Sequence, residues 1–299
     1  LQGDKMFKNS FKQVLKFILV MFFGLSFTTS ALATTDQYGS IIDNNTFDTA
    51  YPMGYWQYHG STICKLKADK NEAYFSFTAN TKDRVYASVA LSQELLNTGA
   101  RIDIYNTSSQ TRPINTGVNV VNSTYSSFIF ANADATTNSQ TFYIKVTRGS
   151  AVGDILFPVR IENRISTGLA KFDFVGTASN PGNPNILTNP NGVDSSIVYL
   201  DLTNNTTIPK EAIVKSFTTS GSVTPSNLNG IRHKILSSQN NVWYTATVAG
   251  IFGLTTSNNL KVAKKWSFKY NFKAKSSSKM SNVKATITYE YDLTNQFKY

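Results

Sequence analysis

From about residue 34 onward, apolar and polar positions alternate with a period of two, and long runs of period 3.6 are scarce. Successive side chains of a strand point to opposite faces, so this pattern predicts half-buried strands. Short β-type runs are Tyr74-Phe75-Ser76-Phe77-Thr78, Val85-Tyr86-Ala87-Ser88-Val89, Arg101 to Tyr105, Ser127 to Ala131 and Thr141 to Thr147. Clusters of Asn, Ser, Thr and Gly separate them, as turn chemistry requires. Ser92 to Asn97 is the one helical turn the pattern suggests. The expected fold class is all-β: two antiparallel β-sandwich domains in tandem.

The sharpest alternation lies near the C-terminus. In Lys264 to Lys273, Trp266, Phe268, Tyr270 and Phe272 share one face, and Lys265, Ser267, Lys269, Asn271 and Lys273 the other. In Val283 to Asp292, Ala285, Ile287, Tyr289 and Tyr291 share one face and Lys284, Thr286, Thr288, Glu290 and Asp292 the other. With Lys275 to Asn282 as the connecting turn, the expectation is an antiparallel hairpin. Its inner face would be aromatic and its outer strand basic, with Glu290 and Asp292 partly neutralising the lysines across the pair.

A different pattern precedes the strands. Lys8, Lys12 and Lys16 form a positive region, Phe17 to Phe27 is an uncharged apolar run, and Ala31-Leu32-Ala33 has the small-x-small spacing of a cleavage site. That order predicts a secretory signal peptide over residues 1–33, with a short extension before the first Met, Met6. The apolar run is shorter than the roughly 20 residues a spanning helix needs. The expected localisation is secreted.

Charge divides the remainder. Residues 34–165 hold 11 basic and 11 acidic side chains, whereas 166–299 hold 14 basic and 6 acidic, net +8. The division predicts one domain over 34–165 and a basic one over 166–299. Gly176 to Gly192, rich in Pro, Gly and Asn, reads as a long loop inside the second domain. A single cysteine, Cys64, excludes an intramolecular disulfide, and two histidines, His59 and His233, leave little for a metal site. Neither cofactor nor metal is expected. The chain has no H-E-x-x-H helix, no G-x-S-x-G elbow and no Walker loop. A carboxylate-pair hydrolase leaves no local motif and stays open.

Several short motifs recur in a known order: Asn45-Thr46-Phe47-Asp48-Thr49-Ala50, Gly60-Ser61-Thr62-Ile63, Glu72-Ala73-Tyr74-Phe75-Ser76-Phe77, Arg101-Ile102-Asp103-Ile104-Tyr105 and Thr141-Phe142-Tyr143-Ile144-Lys145-Val146. This order resembles the bacterial pre-peptidase C-terminal domain over roughly Asp43 to Arg148. The resemblance implies a small β-sandwich of the kind appended to secreted proteases and other exoenzymes, with a role in substrate binding or secretion. Ile208 to Val214, His233 and Val242-Trp243-Tyr244-Thr245, with Ser179 to Asn183 and Trp266 to Tyr270, resemble secreted proteins of bacilli with no assigned function.

Two groups of side chains are candidate binding sites. Tyr55, Trp56, Tyr58 and His59 fall within an aromatic cluster, Tyr51 to His59, of the kind that either holds sugar rings or packs a sheet end. Lys265, Lys269, Lys273 and Lys275 form a row that either meets an anionic polymer or keeps an edge soluble. Asp103 is a structural carboxylate or a cation ligand. The reading favoured is a secreted, non-catalytic protein, not an enzyme, that binds an extracellular polysaccharide or anionic wall polymer, with no nucleic acid as partner. A membrane-active or pore-forming β-protein and an accessory or cryptic exoenzyme are the alternatives.

Overall fold

The computed structural model describes residues 32–120, 127–226, 230–248 and 250–297. The predicted leader, through Ala31, lies outside the described residues. The described residues fold as an all-β protein of four sheets. The first sheet orders Thr34–Thr35, Ile41–Ile42, Thr62–Leu66, Ile155–Asn163, Arg84–Ala90, Phe128–Asp134 and Val118–Val120 side by side. The second orders Tyr51–Tyr55, Glu72–Ala79, Gln140–Thr147, Arg101–Tyr105 and Asn115–Thr116. Pairing is antiparallel except where Ile41–Ile42 meets Thr62–Leu66 and Tyr51–Tyr55 meets Glu72–Ala79. A short helix, Gln93–Asn97, starts behind Ser92, whose hydroxyl accepts from the Leu95 amide.

The first two sheets share one core. Phe75, Phe77, Phe142, Ile144 and Val146 of the second sheet meet Cys64, Leu66, Val85, Ala87, Val89, Phe157 and Val159 of the first. Phe77 and Phe142 stack with centroids 5.3 Å apart. Tyr74 and Tyr105 point the other way yet are also buried. Phe47 covers them, 4.6 Å from Tyr74, 5.2 Å from Tyr105 and 5.6 Å from Tyr143.

After Arg164 the chain enters the other two sheets. The third runs Ile165–Asp173, Ser278–Asp292, Ile213–Thr224 and Ile251–Phe252, with Ala178–Asn180 also on Ser278–Asp292. The fourth runs Val193–Asp194, Lys265–Phe272, Arg232–Ser237 and Trp243–Thr245, with Val198–Asp201 also on Lys265–Phe272. Their core is more aromatic: Trp266, Phe268, Tyr270, Phe272 and Phe217 pack against Ala285, Ile287 and Met280.

The hairpin expected from the sequence does not form. Lys265–Phe272 lies in the fourth sheet and Ser278–Asp292 in the third, so the two strands face each other across the core. The Tyr270 hydroxyl and the Ser278 hydroxyl meet there, 2.9 Å apart. Period two specifies which face is buried but not which strand lies beside it. Ser278–Asp292 is already flanked by Ile165–Asp173 and Ile213–Thr224, and Lys265–Phe272 by Arg232–Ser237 and Val198–Asp201. Glu290 and Asp292 therefore neutralise other groups. Glu290 holds Lys215 at 2.7 Å, and Asp292 holds Arg164 at 3.0 Å.

The segment between the hairpin's intended strands is fixed from outside. Asn183 donates its amide to the Ala274 carbonyl at 2.8 Å. Gly182, at φ +86°, sits so close to the Lys275 carbonyl that an added Cβ would lie 2.1 Å from it. The Pro- and Gly-rich loop thus packs onto the C-terminal sheets and braces the turn that carries Lys273 and Lys275.

The C-terminal segment returns to the first sheet. Phe297 inserts between Tyr86, Phe128 and Phe130, at 5.5, 5.2 and 5.1 Å. Beside it Arg164 and Arg84 share Asp134 of the first sheet and Asp292 of the third. An apolar anchor and a partly buried ion network therefore join the two sheet pairs.

Candidate binding site

The aromatic cluster is divided among three environments. Tyr51–Tyr55 ends at a one-turn 3-10 helix, Trp56–Tyr58, and Gly54 at φ +74° makes the approach. The Tyr55 hydroxyl and the Trp56 indole N–H both donate to Asp83 Oδ2, at 2.9 and 2.8 Å, and the Asn80 amide adds a third bond at 2.8 Å. Partial burial pushes the Asp83 carboxyl up, but these three donors outweigh it and hold the group below its ordinary value. The Tyr58 side is open, 87% exposed, and its ring leans on Tyr55 at 58°. The His59 ring bonds the Thr62 hydroxyl and turns an edge towards Tyr51. Tyr55, Trp56, Tyr58 and His59 do not form one flat platform. Trp56 instead lines a cleft between the two sheet pairs.

The lysine row is also differentiated. Lys269 is mostly covered and pairs with Asp194 at 2.7 Å. Lys234 on the neighbouring strand pairs with the same carboxylate at 2.8 Å, and the Asn271 amide donates to it at 2.8 Å. Burial pushes Asp194 up, yet the three donors prevail and hold it at about 2. Lys265, Lys273 and Lys275 are exposed and make no ion pair among the described residues.

Two rings missed by sequence reasoning complete this face. Tyr199 lies opposite Ser267, and Trp243 opposite Leu236, which places both on the outer side of the fourth sheet with the lysines. Lys265 Nζ sits 4.7 Å from the Tyr199 ring centroid and Lys269 Nζ 4.1 Å from that of Trp243. Tyr199 is 46% exposed. The result is a sheet face on which two aromatic rings each carry an ammonium group, with Lys273 and Lys275 just past the end of the same strand. Trp243–Thr245 and Val198–Asp201 are too short to assign a face from alternation. Only the register against Lys265–Phe272 and Arg232–Ser237 reveals it.

Other titratable groups are structural. Cys64 is fully buried in the first core, and burial pushes its thiol up to about 12, so it is not a nucleophile. His233 bonds the Thr219 hydroxyl at 2.7 Å and turns an edge to Phe268, and burial lowers its pKa to about 4. Asp103, 1% exposed, lies 3.0 Å from Arg101 Nε. Among the described residues, no group of three or more His, Cys, Asp or Glu is placed to hold a metal ion. None of the described helices is long and apolar enough to cross a membrane.

Comparison with known proteins gives one strong relationship. The uncharacterized protein YbdN of Bacillus subtilis strain 168 is 44% identical over 291 residues, which cover 96% of this chain and 99% of that protein. No family model matches the chain. Among solved structures, the pre-peptidase C-terminal domain of a Bacillus anthracis collagenase is similar over 38% of this chain and 94% of its own, at 16% identity and a TM-score of 0.29. A protein of Eubacterium rectale, described as a candidate secreted protein, is similar over 87% of this chain and 81% of its own, at 8% identity and a TM-score of 0.32.

Proposed function

The chain belongs to the family of Bacillus subtilis YbdN, and we propose that it is a secreted, non-catalytic protein of the cell surface that binds an anionic wall polymer on the outer face of its fourth sheet. The observation that carries this reading is the pair of lysine-on-ring contacts, Lys265 on Tyr199 and Lys269 on Trp243, on one face. Lys265, held over Tyr199 and exposed, has already lost part of its side-chain freedom, so less is lost when it meets a phosphate, while Lys269 stays paired with Asp194 and fixes the Trp243 ring beside it. The rings add apolar contact for the polyol or sugar units between phosphates. Lys273 and Lys275 extend the positive field along the strand direction.

Secretion is supported by the leader pattern in residues 1–33. The first two sheets, on the motifs between Asn45 and Val146, act as a pre-peptidase C-terminal-like scaffold. A non-catalytic role fits the carboxylates, since Asp83, Asp194, Glu211 and Glu290 each hold donor or cation partners.

Co-sedimentation with Gram-positive cell walls across a salt series tests the reading. Binding is expected to fall roughly tenfold or more between about 0.05 and 0.5 M salt, as surface charge is screened. It should disappear on walls stripped of teichoic acid, and the double variant Lys273→Ser, Lys275→Ser should bind several-fold more weakly. Salt-resistant binding, or equal binding to stripped walls, would contradict it.

A further inference from the structure

A cleft lies away from the basic face. It lies between the two sheet pairs and has a volume of about 750 Å³, within the range of small-ligand sites. We propose that this cleft is a second binding site, for a neutral oligosaccharide segment, with Trp56 as its stacking surface. The proposal goes beyond the wall-polymer reading because it uses different residues and a ligand of different charge.

The lining decides the ligand class by what is already spent. Asp83 accepts from Tyr55, Trp56 and the Asn80 amide. Glu211 holds Lys261 at 2.6 Å and Glu290 holds Lys215 at 2.7 Å. Asp292 is shared by Arg164 and Arg84. A charged ligand would have to displace one of these partners, and Lys82 is the one cationic lining side chain outside such a pair among the described residues.

The groups left over are neutral. Asn163 uses its Oδ1 on the Ile165 amide at 3.0 Å, which leaves its NH₂ group to donate. The Thr256 hydroxyl, the Asn295 amide and the Tyr291 hydroxyl have no hydrogen-bond partner among the described residues. Amides and hydroxyls around one aromatic ring complement a molecule with hydroxyls on its rim and an apolar C–H face, which is a sugar ring. Trp56 is half-buried, and its indole N–H is fixed to Asp83, so the ring is oriented before any ligand arrives. Asn163 and Trp56 come from the N-terminal sheets and Thr256, Tyr291 and Asn295 from the C-terminal part. A ligand here touches both and should stabilise the joint between them.

The test titrates the full protein with three neutral trisaccharides, chitotriose, cellotriose and maltotriose, following tryptophan fluorescence and melting temperature. At least one should bind with a Kd of about 1 mM or tighter. That binding should change less than about twofold between roughly 0.05 and 0.5 M salt, because no charge is being screened. Trp56→Ala should weaken it by about tenfold or more. Thr256→Ala, which removes one hydroxyl without a structural bond, keeps the test meaningful if the Trp56 variant unfolds, and should weaken binding several-fold. Lys273→Ser with Lys275→Ser should leave it unchanged. If none of the three sugars shifts fluorescence or melting at about 10 mM, the proposal is wrong. The same holds if Thr256→Ala binds as the parent does, or if binding follows the lysine variants instead.

Discussion

The two halves of this molecule use the same architecture and treat charge in opposite ways. In the N-terminal sheets most charged groups are matched. Lys65 meets Asp154, Lys67 meets Asp43, Lys145 meets Glu72, and Arg101 meets Asp103. The buried Arg148 donates from its two Nη atoms to the carbonyls of Lys67, Ala68, Lys70 and Gly153, although its Nε has no partner among the described residues. In the C-terminal sheets Lys171, Lys210, Lys264, Lys265, Lys273, Lys275 and Lys279 make no ion pair among the described residues. An unmatched charge contributes little to folding, since even matched surface pairs are worth about 0–1 kcal/mol. The comparison teaches that charge in the first half serves the fold, while the excess in the second is available to a partner.

The cores differ in kind as well. The first is built largely of Ala, Val, Ile and Phe, and the second around Trp266, Tyr270 and Phe217. Trp266 has no exposed surface, and its indole N–H donates to the Val262 carbonyl at 3.0 Å. The largest effect that would break the comparison is therefore expected there. Trp266→Ala should cost about 3–5 kcal/mol in urea unfolding, while Lys273→Ser should stay within about 0.5 kcal/mol of the parent. If the two were equally damaging, the separation of core from binding face would fail.

The next effect concerns pH. His233 is held neutral, with a folded pKa of about 4 against an unfolded value of about 6.5. Protons bind the unfolded chain first, so its contribution is present above pH 6.5 and is lost as pH falls towards 4. The integrated loss is up to about 3 kcal/mol. Between these pH values, the stability curve of His233→Gln should be flatter than that of the parent. Parallel curves would show that His233 does not titrate in this way.

A smaller effect tests the joint. Phe297→Ala removes the ring seated among Tyr86, Phe128 and Phe130, and should lower stability by roughly 1–2 kcal/mol. Polymer binding should be unchanged, since Phe297 contacts none of Tyr199, Trp243, Lys265 and Lys269 in its ring cluster. A loss of binding would mean that the two halves act as one surface.

Much of this was legible from alternation. The faces of Trp266, Phe268, Tyr270 and Phe272 and the inward Ala285 and Ile287 follow from period two, but the last strand starts at Ser278, inside the segment read as a turn. The partners did not, because pairing is decided by strands far away in sequence. Lys265–Phe272 and Ser278–Asp292 look like neighbours and instead face each other. The orientation of Trp56 depends on Asp83, 27 positions later, and no local pattern encodes that bond. Tyr199 and Trp243 became visible only once both were registered against the strands carrying the lysines. Lys269 read as free in sequence because its partner, Asp194, lies 75 positions earlier.

The central assertion is that the outer face of the fourth sheet meets an anionic polymer. Backbone amide shifts of the isotopically labelled protein, titrated with purified teichoic acid at low salt, test it most directly. The account predicts shifts clustered at Tyr199, Trp243, Lys265, Lys269 and Lys273 to Lys275, reversed by added salt, with the N-terminal sheets silent. Shifts confined to the N-terminal sheets, or none at saturating polymer, would contradict it.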